Sequence, residues 1–197
     1  MVRYTSEHKQ NSHVRIVDAA GRGFRRQGYG GIGVDGLARE AGVTHGAFYG
    51  HFRSKAEAFC AAVVTGLDEL RAGIERTRAE QGTGWVARFA AFYLGFKRTC
   101  ALDDACTLPT LSPEVERADT QTRAQYQAAL LAVMAATAAG LPAGDESASR
   151  ARAWALLALL AGGVTLARAV PDPALSAEIA AAVVAAAEAM AGDPETP

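Results

Sequence analysis

One stretch limits what this chain can fold into more than any other: residues 32–55, IGVDGLAREAGVTHGAFYGHFRSK. Val34, Leu37 and Ala38 recur at helical spacing and set an apolar face opposite Arg39 and Glu40. Gly42 can take the left-handed conformation that ends a helix without a Cβ clash. Val43 is placed to plug the elbow, and Thr44 is a good N-cap for a following helix over about residues 45–52. In that second helix Phe48 and Phe52, four apart, share the buried side. Gly46, Tyr49, Gly50 and His51 are left toward solvent or a partner. Two short helices across a glycine turn make a helix-turn-helix, whose second helix can enter the DNA major groove.

The run AGVTHGAFYGHFRSKAEAF resembles the signature of the TetR family of bacterial transcriptional regulators. In that family a small-Gly-Val-Ser/Thr turn leads into Tyr-x-His-Phe-x-Ser-Lys. The likeness covers roughly residues 12–59, under a third of the chain. Ile32 and Gly33 stand where members usually carry a capping Ser or Thr that meets a phosphate. The resemblance implies a homodimer whose heads read a palindromic double-stranded DNA operator in successive major grooves. Thr44, His45, Gly46 and Ala47 open the reading helix nearest the bases. Tyr49, His51 and Lys55 would contact phosphate, Lys55 aided by the dipole of the helix it starts. Arg39 is a further base or phosphate candidate, with a solvated helix-face charge as the plain alternative.

Charge supports a nucleic-acid role only when it is read by region. The formal net charge is −1. Residues 1–55 nevertheless hold nine Lys/Arg (Arg3, Lys9, Arg15, Arg22, Arg25, Arg26, Arg39, Arg53, Lys55) against Glu7, Asp18, Asp35 and Glu40, and all four His lie there too. A basic head on an acidic body is the footprint of a DNA-binding domain joined to something else. Arg3 and Lys9 could reach a neighbouring backbone as an arm.

The fold expected is all-α, with about nine helices: a DNA-binding domain over residues 1–55 and an effector-binding and dimerisation domain over 56–197. Half the residues are hydrophobic and strand-forming clusters are scarce. Val14, Val17, Ala20 and Phe24 are the expected core stripe of the first helix, which ends at Gly28. Its arginines are read as a solvated face. Ser54 and Glu57 form a capping box for a long fourth helix linking head to body. Ser112-Pro113-Glu114 reads as the cap and first turn of a short helix. The last two helices are rich in Ala and Gly, so a two-fold four-helix interface between copies is the economical way to cover them. The apolar run near Trp154–Val170 is read as an interface helix rather than a membrane span, and the protein as cytoplasmic.

In the body, Trp85, Phe89, Phe92, Tyr93 and Phe96, with Tyr126, Leu130, Met134, Trp154 and Leu157, are candidates to line a pocket for a small hydrophobic effector. Taken singly, each could equally be ordinary core; the family resemblance favours the pocket and a repressor released by its ligand. Cys106 precedes Leu-Pro-x-Leu-Ser-Pro-Glu-Val, similar to a family subset with Gly-Cys-x-x-x-x-Leu-Ser-x-Glu-Val, Ala105 replacing the Gly. Some members of that subset sense electrophiles or oxidants through this cysteine, so a redox role for Cys106 stays open. Asp103 and Asp104 oppose a reactive thiolate, while Lys97, Arg98 and Arg117 could favour one. Cys60 and Cys100 read as plain helix residues. Three cysteines without ligand spacing imply no disulfide scaffold and no metal, and no cofactor is expected. An enzyme with a Cys nucleophile is disfavoured because every His lies in the head. A DNA binder with no effector remains as another alternative.

Overall fold

In a computed structural model, residues 6–142 and 145–192 are described, with side chains from residue 10 onward. Arg3, the Lys9 side chain and residues 193–197 of the expected tail lie outside the described residues. The described chain is all-α. Nine helices follow in order: α1 (Ser6–Gly31), α2 (Val34–Glu40), α3 (His45–Tyr49), α4 (Lys55–Gln81), α5 (Trp85–Thr99), α6 (Thr107–Val115), α7 (Thr120–Ala138), α8 (Glu146–Ala169) and α9 (Pro173–Ala191). Single 3-10 turns lie at Gly82–Gly84 and Leu102–Asp104.

Caps explain most helix starts. Thr44, Ser54, Asp119, Asp145 and Asp172 each accept, through a side-chain oxygen, a backbone N–H of the helix that follows. At Ser54 the acceptance is from Glu57, whose carboxylate in turn takes the Arg53 N–H at 2.6 Å. The capping pair therefore reaches back one residue beyond the usual box. Gly28 breaks α1 with φ 74°, a conformation only glycine takes without strain.

Two apolar cores share the molecule. The head core gathers Ile16, Val17, Ala20, Phe24, Leu37, Phe48, Phe52, Phe59 and Val63, and it extends to Leu111 and Val115 of α6. Phe24 and Phe59 meet edge to face at 5.1 Å. The body core packs Leu67, Leu70 and Ile74 of α4 against Trp85, Phe89 and Tyr93 of α5, Val133 and Met134 of α7, and Leu156, Leu160 and Val164 of α8. Helix α4 thus contributes to both, over a length of about 40 Å at 1.5 Å per residue.

Several local expectations change. Val14 is 48% exposed. The stripe runs through Ile16 instead, and two residues are about 200° apart on a helix, which turns Val14 outward. Helix α3 ends at Tyr49 rather than Phe52: Gly50 caps it, although Phe52 N–H still reaches the Phe48 carbonyl at 3.0 Å. Helix α6 begins at Thr107, well before Ser112, and carries Pro113 inside it. Pro109 falls in its first turn, where a missing N–H costs nothing, and Pro113 is close enough to the end that only one ladder bond is lost.

Candidate nucleic-acid interface

The turn between α2 and α3 fixes which side chains face outward. Gly42 takes φ 65°, and Val43 N–H bonds the Ala38 carbonyl at 2.9 Å, which folds the chain back. Phe48 and Phe52 are buried at 0% and 2% exposure and anchor α3 on the head core. That orientation leaves Thr44, His45, Gly46, Ala47 and Tyr49 exposed together along one side. Thr44 Oγ1 accepts the Ala47 N–H at 3.1 Å, so the hydroxyl both caps α3 and keeps its own proton to donate. No Cβ contact would oppose a side chain at Gly46, which marks this as open surface.

Charged groups surround that row. Arg39 is exposed on the outer side of α2 and has no ion-pair partner among the described residues. Lys55 Nζ stands 4.3 Å over the Tyr29 ring, a cation–π contact that steers the ammonium at the start of α4. His51 is half-buried, its ring 5.8 Å from that of His13. His45 Nδ1 lies against the Asp35 carboxylate, tying the start of α3 to the first turn of α2. The reading of the sequence missed Asp35. Its only signal was an acid ten residues before a histidine, which is not a helical spacing.

The arginines of α1 are not a uniform solvated face. Arg26 bridges Glu40 of α2 at 2.6 Å and Asp103 of the 3-10 turn at 2.7 Å. Its hydrogen bond holds the Glu40 carboxyl below the usual glutamate range. Arg25 donates through Nε and Nη2 to the Asp103 carbonyl, and its burial lowers its pKa from the ordinary arginine value. A third link runs from the Tyr29 N–H to Glu114 of α6 at 3.3 Å. The head is therefore fastened to the body at the 3-10 turn and α6 as well as along α4.

The ten aromatic and apolar pocket candidates do not meet in one cavity. Trp85, Phe89 and Tyr93 form one buried stripe of α5, and Trp85 Nε1 donates to the Gly140 carbonyl at 2.6 Å. Phe92 and Phe96 lie off that buried stripe, 47% and 51% exposed, stacked at 5.6 Å. Phe89, Phe92 and Tyr93 line a cavity of about 360 Å³ between α1, α4, α5 and the chain around Cys106. Tyr126, Leu130, Trp154 and Leu157 line a separate, open and largely apolar groove of about 620 Å³ over α6, α7 and α8. Met134 is core. Cys106 is buried beside Tyr93 at the first cavity, and desolvation pushes its thiol pKa up against the opposing pull of Tyr93, Lys97 and Arg25.

Residues 16–62 match the family described as bacterial regulatory proteins, tetR family. The head is a TetR-family domain. HTH-type transcriptional regulator TtgR of Pseudomonas putida is 44% identical to this TetR-type head over 57 residues, 29% of this chain and 27% of that protein. AcrR of Shigella flexneri, also an HTH-type transcriptional regulator, is 39% identical over 59 residues, 30% of this chain and 27% of that protein. The matched stretch thus spans about a quarter of the length of these curated relatives. Beyond the TetR-type head the likeness is one of fold. E. coli NemR in its reduced form superposes with a TM-score of 0.79 at 18% identity, covering 94% of this chain and all 100% of that one. A TetR-family transcriptional regulator from Agrobacterium tumefaciens gives 0.73 at 19% identity, covering 90% and 98%.

Proposed function

We propose that the chain is a cytoplasmic transcriptional regulator, most simply a repressor, that binds a palindromic DNA operator as a homodimer and is released by a small hydrophobic effector. Residues 1–55 read DNA, and residues 56–197 bind the effector and the second copy. The observation that carries the reading is the exposed row Thr44, His45, Gly46, Ala47 and Tyr49 on a helix pinned from behind by Phe48 and Phe52. Thr44 to Ala47 address base edges, and Tyr49, His51 and Lys55 address phosphates, with Arg39 beside them. Relatives named as HTH-type transcriptional regulators support this assignment for the head.

Helices α8 and α9 are long and apolar enough by composition to cross a membrane, yet only 39% and 17% of their most apolar windows are buried within one chain. Leu166 and Leu175 stand exposed on them. A four-helix interface with a second copy covers this surface and sets two heads side by side. Ligand binding in the body then repositions α4 and the heads, a coupling of about 1–3 kcal/mol in systems of this kind. The buried, neutral thiol of Cys106 favours effector release over thiol sensing as the trigger. Titration of the protein into duplex DNA flanking its own gene tests the reading, with selective binding expected and indifference to sequence counting against it.

A further inference from the structure

The cavity between α1, α4 and α5 is built from mismatched parts. Its size, about 360 Å³, falls in the range of small-molecule sites, and one of its walls is the head itself. Phe89 and Phe92 supply flat apolar surface. Tyr93 is 3% exposed, and its hydroxyl lies beside the Cys106 thiol, a weak sulfur partner that leaves it without a full hydrogen bond. A buried hydroxyl in that state is costly, and an acceptor brought by a ligand would remove that cost.

Three cations line the same space, Arg22, Arg25 and Lys97; Arg22 faces Glu40 at 4.0 Å, and the other two have donors to spare. Arg25 offers five N–H groups, of which two close on the Asp103 carbonyl and a third meets Thr107 Oγ1 only at 3.5 Å. It forms no ion pair among the described residues. Lys97 Nζ donates to the Asp104 carbonyl at 2.6 Å, again a neutral partner. Asp18, Glu69 and Asp104 also line the opening. Each is exposed and keeps its water, so they weaken the positive field at the rim without satisfying the donors inside.

A planar apolar body with one acceptor-only head supplies what these groups lack. We propose that this junction cavity binds an aromatic monocarboxylate, ring against Phe89 and Phe92, carboxylate toward the Tyr93 hydroxyl and the Arg25 and Lys97 cations. The ligand touches α1 directly. By drawing Arg25 off the Asp103 carbonyl it loosens the head from the body without requiring a push transmitted along α4. The inference rests on the reading of the chain as an effector-responsive DNA binder, but the binding step is measurable without DNA.

Isothermal titration of the full-length protein with 2-naphthoate, and separately with neutral 2-naphthamide, tests the site. The acid is expected to bind, with the amide at least about tenfold weaker. Tyr93→Phe removes a hydroxyl that makes no full hydrogen bond in the fold, so the variant should remain folded, and it should bind the acid about fivefold more weakly. Gly73 lines the cavity, and a Cβ there meets nothing within 4 Å, so Gly73→Leu fills the space from a tolerant position and should abolish binding. Equal affinity for acid and amide, no binding of the acid, or an affinity untouched by both substitutions would each overturn the assignment. A protein that binds operator DNA but not naphthoate loses this site and keeps its DNA role. One that binds naphthoate through Tyr93 but no DNA keeps the site and loses the regulator reading.

Discussion

The guanidinium of Arg25 closes on the main-chain carbonyl of Asp103 through both Nε and Nη2, at 2.8 and 2.5 Å, joining the first helix of the head to a turn 78 residues away. A half-buried charged donor on a carbonyl is a stronger bond than a neutral one. Arg25→Met leaves the carbonyl without these donors and is expected to lower stability by about 1–3 kcal/mol. Urea unfolding measures it, and a midpoint equal to that of the wild type would show that the clasp contributes nothing.

The junction also depends on a close approach of α4 to α6. A Cβ on Gly66 would come within 2.0 Å of Thr107 Oγ1 in the same region, whereas one on Gly73, two turns along α4, meets nothing. Gly66→Ala should therefore destabilise by about 1–3 kcal/mol through overpacking. Gly73→Ala should stabilise by about 0.5–1 kcal/mol, since a mid-helix glycine is entropically costly. The opposite signs on one helix, read by thermal or urea unfolding, separate packing from propensity. Equal effects would mean α6 does not press on α4 at that point.

Exposed leucine on α8 predicts the assembly. Leu166 is 61% exposed in the single chain, while Gly163, one turn earlier, lets Val183 of α9 come so near that a Cβ there would stand 2.6 Å from it. The pair of helices thus presents a closely packed slab with apolar groups outward. Leu166→Glu should shift sedimentation from twice the chain mass toward the single chain, because a charge placed in an apolar interface is left unpaired. A variant that stays dimeric would move the interface elsewhere.

How far the sequence carries these conclusions depends on distance along the chain. The turn at Gly42, the anchors Phe48 and Phe52, and the caps Thr44 and Ser54 are legible because each acts over four residues or fewer. The Arg25 and Arg26 contacts to Asp103 carry no local signal, and both arginines look like ordinary helix-surface charges. The early start of α6 was hidden by Pro109 and Pro113, which resemble breakers unless their place in the first and last turns is known. The aromatics of α5 divide between a buried stripe at 85, 89 and 93 and an outward pair at 92 and 96. Their spacing already contained that division, but grouping them by residue type concealed it.

Cys106 gives a prediction in pH. Burial raises its thiol pKa above the ordinary cysteine value, so the thiolate that reacts is scarcer than in a free thiol at any given pH, and modification accelerates only as pH climbs through the raised value. Native-state labelling with iodoacetamide at pH 7.5, mapped by mass spectrometry, should therefore mark Cys100, which is half-exposed, well before Cys106 or Cys60. Preferential labelling of Cys106 would reverse the choice between a ligand-released and a thiol-sensing regulator.

The central claim is that the row from Thr44 to Tyr49 reads DNA, and fluorescence anisotropy with labelled duplex from the region flanking the gene tests it most directly. Tight, sequence-selective binding is expected, weakening steeply as salt rises because phosphate contacts release counterions. Thr44→Ala should lose both a cap of about 1 kcal/mol and a contact near the bases, and Tyr49→Ala a phosphate contact, each reducing affinity while the protein stays folded. Binding that is equal for flanking and scrambled duplexes, or unchanged in both variants, would contradict the account.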